Sequence, residues 1–163
     1  MESEEKQAAL SRAGGQFIVF RLYDELFGFN ISLVNEITEL LPLNPVPRAP
    51  EFVSGVINYH GRIVAVIDLT RFFNLEVDRA EALTRIIVFV PGEYQIGFLV
   101  DDIKEITHIL EDSEEMNPME GKNFKNIYIE GVACIDDELV NIINAGKLLA
   151  DLEDYFKEVN IEY

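Results

Sequence analysis

Phe17-Ile18-Val19-Phe20, with Gly28-Phe29 and Glu36-Ile37-Thr38 behind it, returns 69 positions later without a gap as Ile86-Ile87-Val88-Phe89, Gly97-Phe98 and Glu105-Ile106-Thr107. Unrelated segments of average composition match at only about one position in fifteen, so this register marks an internal duplication. A second register, at an offset of 76, continues it: Gly55-Val56 returns as Gly131-Val132, Val64 as Val140 and Ile67 as Ile143. Two copies of a unit of roughly 60 residues are expected, a size at which a lone domain is marginally stable. The copies are expected to bury a shared face and to offer a groove at their seam.

Each copy reads as strands. Gln16–Tyr23, rich in Phe, Ile and Val, is separated by Asp24-Glu25 from Leu26–Asn30, which predicts a hairpin. Its repeat is Arg85–Val90, a Pro91-Gly92 turn and Tyr94–Val100. Gly28 and Gly97 interrupt the second strands, where glycine marks a bulge or a close backbone approach, as at a barrel corner. Pro42, Pro45, Pro47 and Pro50 predict an extended crossing over Leu41 to Pro50, with Pro50 opening a short helix through Glu51-Phe52-Val53. A second hairpin over Gly55–Leu69 turns at His60-Gly61, and its repeat, Gly131–Asn144, turns at the acidic Asp136-Asp137-Glu138. Ile63 to Ile67 is apolar on both faces, so one face fills its own unit and the other is covered. Ala145–Val159 carries Leu148, Leu149, Leu152, Phe156 and Val159 on one helical stripe, which predicts a lid over the core.

Thirteen basic residues against thirty acidic ones give a net charge of −17. That field repels phosphate backbones and anionic membranes, which argues against both as partners, and it is compatible with basic protein surfaces. Met1 to Gly15 has no apolar run of signal-peptide type and reads as a mobile lead-in. No segment approaches the ~20 apolar residues of a membrane-spanning helix, so a soluble cytoplasmic protein is expected. Cys134 alone forms no internal disulfide and sits mid-strand as a small hydrophobe.

Chemistry is sparse. His60, His108 and Cys134 fall short of a tetrahedral zinc set. The acids of Glu111–Asn126 lack the alternate spacing and terminal glutamate of a calcium loop. No serine has a nucleophile-elbow context, and Asp101-Asp102 reads as a helix cap rather than a catalytic pair. With strand edges and few reactive groups, the chain reads as a binding module with no cofactor and no enzymatic activity.

The run Gly55-Val56-Ile57-Asn58-Tyr59-His60-Gly61-Arg62-Ile63-Val64-Ala65-Val66-Ile67-Asp68-Leu69 resembles the signature hairpin of the CheW family of chemotaxis coupling proteins. That pattern is Gly-Val-x-Asn-x-Arg-Gly-x-Ile/Val-x-Pro-Val/Ile-Ile/Val-Asp-Leu. Phe17-Ile-Val-Phe, Gly28-Phe29, Val34-Asn-Glu36-Ile37, Leu139-Val140-Asn141-Ile142 and the terminal helix are similar to the same family. The resemblance spans about residues 16–156, leaving 1–15 as lead-in and 157–163 as tail. It implies two SH3-like five-stranded β-barrels in a pseudo-twofold arrangement, with short helices and a C-terminal helix; strand exchange between them stays open. It implies an adaptor joining the cytoplasmic hairpin tip of chemoreceptors to the regulatory domain of a CheA-type histidine kinase.

The resemblance also marks Val34, Glu36, Gly55, Asn58, His60, Thr84, Arg85 and Gly97 as contacts with receptor or kinase. Plainer roles stand beside these: packing in a helix core for Val34, backbone geometry for Gly55 and Gly97, a brace within its own hairpin for Asn58, and a role shared with Glu105 for Glu36. His60 stands where the family has arginine and Ala65 where it has proline, so a charged contact at residue 60 would depend on pH. Arg62, two residues on, is a partial substitute if the turn is regular. The alternative function is a small-ligand sensor with a pocket between the barrels; an enzyme, needing clustered titratable groups, comes third.

Overall fold

A computed structural model describes residues 15–75, 84–109 and 126–159. Its ten strands are β1 (Gly15–Leu22), β2 (Glu25–Asn30), β3 (Val34–Glu39), β4 (Val53–Tyr59), β5 (Arg62–Asp68), β6 (Arg85–Phe89), β7 (Ile96–Val100), β8 (Asp102–Ile109), β9 (Ile129–Ile135) and β10 (Glu138–Ile143). One five-stranded sheet runs β8-β1-β2-β10-β9 and the other β3-β6-β7-β5-β4. Replacing each strand of the first order by its repeat mate reproduces the second, so the mainly β, pseudo-twofold architecture mirrors the duplication.

The sheets do not coincide with the sequence copies. β1 and β2 leave their own copy to join the sheet of β8, β9 and β10, where β1 pairs with β8 and β2 with β10. β6 and β7 join that of β3, β4 and β5, where β6 pairs with β3 and β7 with β5. A parallel ladder makes the exchange in each sheet: Val140 to Ile143 lie beside Leu26 to Phe29, and Ala65 to Asp68 beside Ile96 to Leu99. Parallel strands need a long connection between them, and here the length comes from crossing to the other sheet.

Period-2 alternation then fills three cores. Phe17, Val19, Leu26, Val140 and Ile142 line the inner face of the first sheet. Their counterparts in the second include Ile86, Val88, Val64 and Val66. The intervening residues Ile18, Phe20, Phe27, Phe29, Ala65, Ile67, Ile87, Phe89 and Phe98 meet in one central cluster. This is the covering that the two-faced Ile63 to Ile67 run required, although Ile63 itself is 42% exposed. Phe29 lies 5.0 Å from Phe20, 5.2 Å from Phe89 and 5.5 Å from Phe98, measured between ring centroids. Phe98 is the repeat mate of Phe29, so the local two-fold passes between these two rings.

Several local readings need correction. The first hairpin turns at Tyr23-Asp24, one residue early, because the buried Asp101 carboxylate accepts the Tyr23 N–H at 2.6 Å. Asp101 therefore caps this turn rather than a helix, and Asp102 opens strand β8. Pro50 starts no helix: Val53 N–H donates to Pro50 C=O at 3.0 Å in a tight turn, and Val53 enters β4 opposite Ile67. The register shifts fall at Val19/Phe20, Val34/Glu36, Val53/Gly55 and Ile142/Ile143, not at Gly28 or Gly97. At Gly97 close approach is the reason for glycine, since a Cβ would stand 2.8 Å from Ile86 Cγ2. The acidic stretch 111–125 lies outside the described residues.

Helix α1 (Leu69–Phe72) and helix α2 (Ala145–Glu158) come directly after β5 and β10 and open on repeat-related caps. Asp68 accepts the N–H groups of Thr70 and Arg71, and Asn144 accepts that of Lys147. Leu148, Leu152 and Phe156 of α2 are buried in the central cluster, as a lid requires, whereas Val159 is exposed. Phe52 and its repeat mate Tyr128 both serve α2: the Phe52 ring lies 5.8 Å from that of Tyr155, and the Tyr128 hydroxyl donates to Asp151 at 2.8 Å. Lys157 pairs with Glu93 at 2.7 Å and Tyr94 packs on Phe156, so α2 straps the second sheet to the first.

Phe29→Ala should cost about 3–5 kcal/mol and lower the urea midpoint of a single transition reported alike by tyrosine fluorescence and far-ultraviolet circular dichroism. Two separated transitions would contradict the shared core. Burial, then the hydrogen bond to Asp151 and its charge, push the Tyr128 phenol from 10.0 up to about 12. The neutral phenol is the stabilised form, so its contribution is complete below pH 10 and lost as pH rises through about 12. Tyr128→Phe should flatten that alkaline loss of the urea midpoint; an unchanged alkaline slope would contradict it.

Candidate functional site

The signature run forms β4, a two-residue turn and β5. His60 (φ 50°) and Gly61 (φ 78°) both occupy the left-handed region, matching a primed hairpin turn between the closing pair Tyr59 and Arg62. Histidine is among the few residues enriched there without being glycine. Asn58 Oδ1 accepts the Gly61 N–H at 3.1 Å, bracing its own hairpin as the plainer reading held. The His60 ring packs edge-on against Tyr59 at 4.4 Å, so the tip is preorganised.

His60 Nε2 lies 3.7 Å from Glu36 Oε2, with both side chains largely in solvent. β3, which carries Glu36, and β4 are opposite edges of the second sheet, so that sheet curls until one edge meets the hairpin closing the other. The first sheet also has an ion pair between its edge strand and its hairpin, but at other positions of the repeat, Lys104 corresponding to Asn35 and Glu138 to Arg62. Lys104 of β8 pairs with Glu138, just past the Asp136-Asp137 turn. The hydrogen bond from Lys104 holds the Glu138 carboxyl below its usual range.

The remaining marked residues lie apart from this tip or behind it. Val34 opens strand β3 rather than lying in a helix, because it pairs with Phe89 of β6, and it packs half-buried against the central cluster. Glu36, Val88 and Gly97 lie side by side across β3, β6 and β7, with Gly97 buried behind the exposed Glu36. Gly55 (φ 144°) is buried, and a Cβ there would stand 2.5 Å from Asn44 C=O. That space lets Asn44 exchange two 2.8 Å backbone hydrogen bonds with Val56, so the proline-rich crossing runs along β4. Thr84 and Arg85 are half-buried at the far end of the β3–β6 ladder, where Arg85 faces Glu39. Ala65, at the family's proline position, uses an N–H that proline lacks, donating to Gln95 C=O at 2.9 Å.

Sequence reasoning singled out Glu36 and His60 separately without pairing them, and it missed Lys104 with Glu138. The repeat register held no signal for the second pair, because it maps Glu36 and His60 onto Glu105 and Asp136 rather than onto Lys104 and Glu138. Among the described residues no group of three His, Cys, Asp or Glu side chains is placed to hold a metal ion. No helix among them is long and apolar enough to cross a membrane.

A family model described as the CheW-like domain matches residues 16–153. The chain belongs to the CheW-like family. It is 28% identical over 144 residues to the chemotaxis protein CheW of Rhizobium meliloti (strain 1021), covering 88% of this chain and 93% of that one. It is 30% identical over 151 residues to protein FrzA of Myxococcus xanthus, covering 91% and 94%. Among solved structures, scaffolding protein TtCheW of Thermoanaerobacter tengcongensis matches with a TM-score of 0.71 at 30% identity, over 80% of this chain and 84% of that one. The Rhizobium relative is named as a chemotaxis protein and the solved structure as a scaffolding protein.

Two glycines of the signature hairpin separate crowding from backbone cost. Gly61→Ala meets nothing within 4 Å and should cost only the left-handed conformation, about 1 kcal/mol. Gly55→Ala adds the collision with Asn44 and should cost clearly more. Denaturant midpoints rank them, and equal losses would contradict the close approach.

Proposed function

We propose that the chain is a non-catalytic adaptor coupling chemoreceptors to a CheA-type histidine kinase, acting in the cytoplasm without a cofactor. The observation that carries this reading is the braced hairpin tip. A family signature is held rigid by Asn58 and the Tyr59–His60 contact, yet presents its polar side chains to solvent. Preorganised exposed groups bind with little ordering cost. The kinase's regulatory domain and the receptor's cytoplasmic hairpin tip are the partners.

Of the marked residues, Glu36, Asn58 and His60 form the exposed contact set. Thr84 and Arg85 add a flank, Val34 an apolar margin, and Gly55 and Gly97 act by shaping the backbone. The sensor alternative needs a cavity in the seam, and the central cluster sets fully buried phenylalanines there, which favours the adaptor. The net charge of −17 disfavours nucleic acid and anionic lipid and favours a partner with a basic rim.

Isothermal titration against a receptor cytoplasmic fragment and against the kinase regulatory domain tests the reading. The parent protein should bind at least one of them. Asn58→Ala combined with His60→Ala should weaken binding about tenfold, roughly 1.4 kcal/mol. Association should slow as salt rises, because steering is screened. Binding to neither fragment would overturn the proposal.

A further inference from the structure

Each sheet carries one ion pair between an edge strand and the hairpin tip at its other edge, at residues that are not repeat mates, since Lys104 corresponds to Asn35 and Glu138 to Arg62. Lys104–Glu138 pairs an ammonium with a carboxylate, whereas His60–Glu36 exists as an ion pair only when the imidazole carries a proton. At 3.7 Å the nitrogen stands outside ordinary N–H···O hydrogen-bond range, so a neutral imidazole gains little from Glu36. The groups in contact with the imidazole are Glu36 from β3 and the Tyr59 ring, and the neighbouring charge on the hairpin is Arg62, which pairs with Tyr59 across the ladder. None replaces the proton as the source of attraction to Glu36.

We infer that the clasp between β3 and the β4–β5 tip is a proton-operated switch confined to one sheet: closed by imidazolium–carboxylate attraction while the imidazole carries a proton, released when it does not, while the Lys104–Glu138 clasp of the other sheet stays shut. Released, the tip frees Glu36 and His60 to be drawn into a partner instead. The family's arginine would hold the clasp closed throughout, so the switch belongs to this chain's histidine. The consequence for partner binding rests on the adaptor reading; the switch itself does not, and is tested on the isolated protein.

The test is nuclear magnetic resonance of the full chain between about pH 6 and about pH 8, the range over which histidine changes charge. The Glu36 carboxyl carbon should shift in step with the His60 ring, and the step should vanish in His60→Gln. After correction for intrinsic rates, amide exchange at the β3 edge and the hairpin tip should be about two- to fivefold slower at the lower pH, the size expected of an exposed pair. His60→Arg should abolish this pH dependence and keep the slow rate, Glu36→Gln should abolish it and keep the fast rate, and the β8 edge should show none. A parent whose Glu36 carbon ignores the His60 titration, or whose β3 exchange has the same pH dependence as Glu36→Gln, would overturn the switch. Either result would leave the adaptor proposal standing.

Discussion

The contact between Phe29 and its own repeat mate Phe98 is the constraint on which the rest depends. A duplicated unit of this size is only marginally stable alone, and its second apolar face needs cover. Here each copy covers the other, and the cover is aromatic: Phe20, Phe27 and Phe29 from one sheet meet Phe89 and Phe98 from the other, all fully buried. Each such ring contributes roughly 1.5–3 kcal/mol of transfer free energy. Strand exchange adds a topological tie, because neither sheet can be assembled from one copy.

That shared frame frees the periphery to diverge. One helix caps what the repeat offers twice: α2 takes both Phe52 and Tyr128, while its mate α1 ends after one turn. The hairpin tips keep one backbone form, with φ of 50° and 78° at His60-Gly61 and 51° and 64° at Asp136-Asp137. Their side chains are opposite in character. One tip carries an imidazole and Arg62, the other three acids, so a partner meets different charge at equivalent places.

The fold was largely legible because duplication and alternation are written in single residues. Phe17-Ile18-Val19-Phe20 and its mate gave the strands, both faces of Ile63 to Ile67 announced two covers, a reading that fails only at the exposed Ile63, and His60-Gly61 announced a turn. What failed depended on contacts distant in sequence. Pro50 suits a helix start, but the pairing of Val53 with Ile67 prevailed. Asp101 has the look of a cap for the element just after it, yet its carboxylate serves a turn 78 residues earlier. Within the site, Asn58 was readable as a local brace. The pairing of Glu36 with His60 was not, because it depends on how far the sheet curls.

Native-state hydrogen exchange in low denaturant tests most directly whether the exchanged strands and central cluster make one cooperative body. Amides of Ile18 and Phe20 in one sheet, and of Ile87 and Phe89 in the other, should open with a single common free energy and the same denaturant dependence. An opening free energy for one sheet lower than that of the other by several kcal/mol would contradict it, because each sheet would then be standing without the strands and rings its partner supplies.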